Sequence, residues 1–189
     1  GANRLGTNAL LDLVVFGRRA GNAMAEFCAG AELDPAGEEN LAWVRSELAA
    51  LREREEGHRA VEIRDRMQQI MFENVSVFRT DELLREAKEK LRELSEMADR
   101  IVIDDKGDAF NLDLTEAWET KGMVELARVI AECAHNRTES RGAHSREDYP
   151  ERDDEEWLRH TFAFLRDDEV EIRYMPVSIT RFEPKERTY

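Results

Sequence analysis

Two stretches of this sequence carry residue types suited to chemistry rather than to filling a core. The first is Gly1-Ala2-Asn3-Arg4-Leu5-Gly6-Thr7-Asn8-Ala9-Leu10. Gly1 and Gly6 allow close backbone approach, Arg4 offers a planar two-pronged donor, and a helix capped by Asn8 is predicted directly afterwards. The unpaired N–H groups and positive dipole end of such a helix favour an anion, and an arginine beside them suits a carboxylate or phosphate. Taken alone, the stretch reads more simply as a capped helix with a surface arginine. The second stretch runs from His135 to Asp154 and holds Arg137, Glu139, Ser140, Arg141, His144, Arg146, Glu147 and Asp148. Long irregular segments in compact domains usually serve a site or an interface. His144 between Arg141 and Arg146 suits anion binding or proton transfer, while Glu139, Glu147 and Asp148 stand ready to pair with the same arginines.

Other chemistries lack their residues. There is no Ser/His/Asp order, no metal-ligand spacing and no glycine-rich phosphate loop, so no metal is expected. Cys28 and Cys133 are too few for a disulfide scaffold, and Cys133 lies on an apolar helical stripe, as a core residue would. The 189 residues sum to 28 − 42 = −14 in charge, with 37% charged residues and a pI near 4.8. That balance argues against a nucleic-acid binder, which needs clustered Lys and Arg. The longest apolar runs, such as Leu13–Phe16, fall far short of a membrane span. The chain opens without Met or a signal peptide and reads as though entered in mid-sequence.

The elements that must position these stretches are mainly helical. Leu10, Leu11, Leu13, Val14, Val15 and Phe16 start a helix of about five turns, apolar on more than one side as buried helices are. Leu41, Val44, Leu48 and Leu51 mark a second helix ending near Gly57. A third runs from Val61 to Phe78, and a fourth from Leu83 to Ile101 with Thr80 as its cap. Asp104-Asp105-Lys106-Gly107-Asp108 breaks the pattern as a turn, and Asp113 or Thr115 opens a helix through Leu114, Trp118, Leu126, Val129, Ile130 and Cys133. The mixed-sign runs at 52–56 and 85–90 read as solvated helix faces. Residues 155–164 suit a short helix with Trp157, Leu158, Thr161 and Phe162 inward. Val170, Ile172 and Tyr174, then Val177, Ile179 and Phe182, alternate as two short strands around Pro176. The expected fold is mainly α: an orphan helix, an antiparallel three-helix bundle, and a C-terminal loop region with short strands.

The two chemical stretches also carry a resemblance. Residues 1–18, GANRLGTNALLDLVVFGR, look like the motif closing the flavin domain of the succinate dehydrogenase/fumarate reductase flavoprotein subunit. Residues 138–158, TESRGAHSREDYPERDDEEWL, resemble that family's carboxy-terminal signature, and the ending PKERTY at 184–189 is similar to its last residues. The three motifs occur in order along the whole chain. The resemblance divides it into the end of an FAD-binding domain (1–34), a helical three-helix domain (35–135) and a C-terminal region of loop, short helix and short strands (136–189).

The family implies interconversion of succinate and fumarate with FAD, electrons passing to an iron–sulfur subunit, and membrane anchor subunits holding the complex indirectly. It also implies a peripheral position on the cytoplasmic side of the cell membrane. Arg4 stands where the family binds a substrate carboxylate, and Ala9 and Leu10 where it contacts the flavin; Ala9 replaces a frequent Ser, leaving a backbone N–H contact. A helix N-terminus at Asn8–Leu10 also suits the negative charge of a reduced flavin. Arg141 and His144 are carried over as candidate site or interface residues only. The family's dinucleotide-binding glycines, flavin-attaching His and proton-transferring Arg are expected upstream, so no catalytic residue is assigned in this chain and the 189 residues alone are expected to be inactive. The alternatives are an L-aspartate oxidase-like fragment, which shares the Asn-Arg-Leu opening and a Ser-Arg-Gly loop, and a non-catalytic helical assembly module.

Overall fold

A computed structural model describes residues 8–32, 37–166, 169–181 and 183–185. Its elements in chain order are α1 (Asn8–Gly30), α2 (Glu38–Glu53), β1 (His58–Arg59), α3 (Ala60–Asn74), α4 (Asp81–Ala98), β2 (Ile101–Val102), α5 (Leu112–Asn136), β3 (Arg159–Arg166) and β4 (Glu169–Pro176).

The core is the expected three-helix bundle of α3, α4 and α5. Ile63 and Met67 of α3, Leu84, Ala87, Leu91, Leu94 and Ala98 of α4, and Leu114, Ala117, Val124, Ala127, Ala131 and Ala134 of α5 form one buried cluster. Spacings of three and four put each set on one helix face, and the alanines of α5 let its neighbours approach closely. Thr80 caps α4 by accepting the Leu83 N–H at 3.3 Å, and Asn111 caps α5 by accepting the Leu114 N–H at 2.7 Å. The parallel pair β1–β2, in register His58↔Ile101 and Arg59↔Val102, ties the start of α3 to the end of α4. At this crossing a Cβ on Gly57 would lie 1.8 Å from the Arg100 carbonyl oxygen, so only glycine fits. The second helix, α2, lies outside the bundle, touching α5 and β2 and adding Leu51 to the core.

Several boundaries differ from the sequence reading. The third helix stops at Asn74, leaving Val77 and Phe78 exposed, and the fourth stops at Ala98, with Ile101 entering β2. Residues 155–164 do not form a helix: after a turn, Arg159–Arg166 is strand β3, paired antiparallel with β4 over eight residue pairs. Thr161, Ala163 and Leu165 alternate with His160, Phe162 and Phe164, a period-two pattern that pairing with Val170, Ile172 and Tyr174 makes decisive. Trp157 is buried as expected, but beside the hairpin rather than inside a helix. Only the first of the two strands expected around Pro176 forms; residues 177–181 are irregular, and Phe182 lies outside the described residues.

The orphan helix α1 is a continuous helix of 23 residues, with Leu10, Leu11, Leu13, Val14, Phe16, Met24 and Phe27 all exposed. No described helix is long and apolar enough to cross a membrane.

Candidate functional site

The stretch after α5 is irregular, yet its charged groups are knitted together. Glu139 is fully buried, and Arg141 grips its carboxylate with two prongs, Nε to Oε1 at 2.8 Å and Nη2 to Oε2 at 3.1 Å. The Asp153 backbone N–H at 2.9 Å and Arg137 Nη1 complete its partners. Burial works to raise this carboxyl, but the bonds from Arg141, Asp153 and Arg137 outweigh it and hold it below the usual range. Arg141 also reaches Asp154 at 2.6 Å, so both chain ends of the loop meet on one guanidinium. Between them, the backbones of Arg141 and His144 exchange two hydrogen bonds around Gly142, whose φ of 62° suits glycine.

Arg146 performs a different task. Its Nη1 donates to the carbonyls of Ala134, His135 and Arg137, which the end of α5 leaves without helical partners. Nε and Nη2 hold Asp148 with two prongs at 2.8 and 2.7 Å, and Asp148 Oδ2 also accepts the Asp81 N–H opening α4 at 2.8 Å. The Arg146 bonds, reinforced by that from Asp81 and opposed by burial, push the Asp148 carboxyl down to about 2.

His144 links this knot to α3. Arg79, 65 residues away, donates Nη1–H to His144 Nδ1 at 2.7 Å and Nε–H to the carbonyls of Val75 and Ser76 beyond α3. A guanidinium cannot accept, so Nδ1 is the acceptor and Nε2–H donates to the Arg137 carbonyl at 3.1 Å. The imidazole is therefore neutral. Burial, then the charges of Arg79, Arg146 and Arg137, lowers its pKa against the pull of the Arg137 carbonyl.

The loop thus joins the ends of α3, α4 and α5 at one pole of the bundle. Arg141 and His144, named from sequence as candidates, come together there, each engaged with protein groups. Of the carboxylates expected beside these arginines, Glu139 pairs with Arg141 and Asp148 with Arg146. Arg79 carries equal weight, and nothing local to it marks a partner on another element. Cys133 is half-buried, and burial foremost raises its thiol, as suits a core residue. Arg4 lies outside the described residues, as do the last four residues of the PKERTY ending. Ala9 and Leu10 occupy the first turn of α1, Ala9 half-buried and Leu10 exposed. No group of three potential metal ligands occurs among the described residues.

Comparison with known proteins bears on this arrangement. A family model described as the fumarate reductase flavoprotein C-terminus matches residues 64–189. The fumarate reductase flavoprotein subunit of Mycobacterium tuberculosis (strain H37Rv) is 39% identical over 197 residues, covering 100% of this chain and 34% of that protein. The succinate dehydrogenase flavoprotein subunit of Rickettsia bellii is 41% identical over 182 residues, covering 95% of this chain and 30% of that protein. A solved structure of E. coli quinol fumarate reductase superposes with a TM-score of 0.89 at 39% identity, over 98% of this chain and 33% of that one. The chain spans about a third of the length of the relatives it matches.

Proposed function

Since this chain belongs to the succinate dehydrogenase/fumarate reductase flavoprotein family, we propose that it is the carboxy-terminal part of a subunit that interconverts succinate and fumarate with FAD. In that reading the complete subunit passes electrons to an iron–sulfur subunit and is held peripherally, through anchor subunits, on the cytoplasmic side of the cell membrane. The observation that carries the reading is the end-to-end likeness to E. coli quinol fumarate reductase, with a TM-score of 0.89 over 98% of the chain. The relatives' names do not favour an L-aspartate oxidase or a non-catalytic module.

Within the subunit, Arg4 binds one substrate carboxylate, its fork matching the two oxygens in a fixed plane. α1 opens at Asn8 with the positive end of its dipole, and its first turn contains no acidic residue. That end fits an electron-rich flavin edge, with the backbone N–H groups of Ala9 and Leu10 as donors and the small Ala9 side chain permitting close approach. FAD, when bound, supplies the two-electron acceptor that succinate oxidation requires. Arg141 and His144 keep the loop's shape for an interface rather than touching substrate, because Nε and Nη2 of Arg141 and both ring nitrogens of His144 are committed within the knot.

In the complete subunit, Arg4→Lys removes one prong and is expected to cost about 2–4 kcal/mol of transition-state binding. Steady-state succinate turnover checks this, and an unchanged kcat/KM rejects the role of Arg4. The purified 189-residue chain with added FAD is expected to give no succinate-dependent dye reduction; robust turnover would show that it needs no other part.

A further inference from the structure

Away from the knotted pole, α2 and α5 enclose a groove of about 460 Å³ lined by Trp43, Glu47, Trp118, Lys121, Gly122 and Glu125. The two indoles meet edge to face at 5.7 Å, and Trp43 is left 63% exposed. Gly122 sits one turn beyond Trp118 inside α5, where glycine weakens a helix. A Cβ there would meet nothing within 4 Å, so nothing in the described chain requires the missing side chain. The space suits an atom arriving from outside.

The charges indicate which atom. Lys121 is held between Glu47 at 3.1 Å and Asp99 at 3.2 Å. Glu125, one turn further along α5, is half-buried and has no hydrogen bond or ion pair among the described residues. The groove therefore has a surplus carboxylate beside an indole. Elsewhere this protein meets such a surface with guanidinium groups: Arg137 and Arg159 lie 4.9 and 4.6 Å from the Trp157 ring. The stripe also continues. Trp118, Gly122, Leu126 and Ile130 recur every four residues on α5, with Leu126 62% and Ile130 48% exposed, giving an apolar strip about 18 Å long. That length suits a segment of polypeptide rather than a small cation.

We propose that this groove docks a partner polypeptide through an arginine, its guanidinium stacked on Trp43 and paired with Glu125, with apolar neighbours along Leu126 and Ile130. Arginine fits better than lysine because its plane stacks on an aromatic face and it is more weakly hydrated.

The test titrates the 189-residue chain with a capped helical peptide carrying one arginine and leucines one turn to either side. The three indole N–H resonances are followed throughout. Those of Trp43 and Trp118 are expected to move while that of Trp157 stays. Replacing the arginine by citrulline, which keeps the shape and loses the charge, is expected to weaken binding about tenfold. Glu125→Gln and Gly122→Leu should each weaken it severalfold without unfolding α5, since neither lowers helix propensity; circular dichroism checks this. Equal binding of the citrulline or a lysine peptide overturns the proposal. So does equally tight binding of tetramethylammonium, which would mark a small-cation site, or binding indifferent to Gly122→Leu. A final arm compares hydrogen exchange at Trp43 in the complete subunit alone and in its complex. Protection only in the complex is expected, and protection in the free subunit would assign the groove to the rest of the same chain.

Discussion

Arg146 is 1% exposed, so its surroundings must replace all the water its charge has lost. They do so with both oxygens of Asp148 and three carbonyls at the end of α5. Removing the guanidinium leaves Asp148 and those carbonyls without their partner, so Arg146→Met is expected to cost about 3–5 kcal/mol of stability, measured by urea unfolding. His144 responds to pH instead. Its folded pKa lies below the ordinary 6.5, so the unfolded chain binds the proton more readily. The stabilisation is complete above the unfolded value and declines as pH falls through it toward the folded one. Acidification from pH 7 should therefore destabilise the protein more than it destabilises His144→Asn, whose side chain cannot titrate. An equal slope for both would remove His144 from the account. Of this knot, the nearby carboxylates Glu139 and Asp148 were legible in the sequence as candidate partners for the arginines, together with Glu147, but not which pairs with which. Arg79 was not, because its partner lies 65 residues away and only the fold brings the two together.

At the scale of elements, the helices were legible wherever one face is apolar and the other charged. The α4 sequence is the clearest case, since Leu84, Ala87, Leu91, Leu94 and Ala98 are all buried and the charges between them point outward. The hairpin was legible only in part. Its second strand alternates plainly, but Trp157, Leu158, Thr161 and Phe162 also fit one helical face, and a segment this short takes its conformation from its partner. The β1–β2 contact was not legible at all, being two residues from each side with no turn between them. Gly57 makes that contact possible, so Gly57→Ala is expected to do more than stiffen a loop. The new methyl would lie 1.8 Å from the Arg100 carbonyl oxygen and would part the start of α3 from the end of α4. A loss of about 1–3 kcal/mol is expected, with hydrogen exchange accelerating first at the His58 N–H, which donates to that carbonyl at 3.0 Å. Wild-type protection at His58 in the variant would mean that the backbone relaxes without breaking the pair.

For the molecule as a whole, the deciding feature is α1. The apolar pattern of residues 10–16 predicts a helix that is apolar on more than one side, as buried helices are. In the structure Leu11, Val14, Phe16 and Phe27 are each more than half exposed, although burying each such side chain is worth about 1.5–3 kcal/mol. The relatives are about three times as long as this chain, and the expectation is that α1 packs against that additional length in the complete subunit. In the isolated chain the same surface must face water or another copy, and an exposed apolar patch of this extent favours association. Sedimentation of the 189-residue chain should therefore depend on concentration. Replacing Leu11 and Val14 with lysine should restore a monomer while leaving the bundle's unfolding midpoint in place, because α1 contributes nothing to the buried core. The same pair of substitutions in the complete subunit should instead destabilise it. A monomeric wild-type chain, or a complete subunit indifferent to both lysines, would mean that α1 is a solvent-facing helix in spite of its composition.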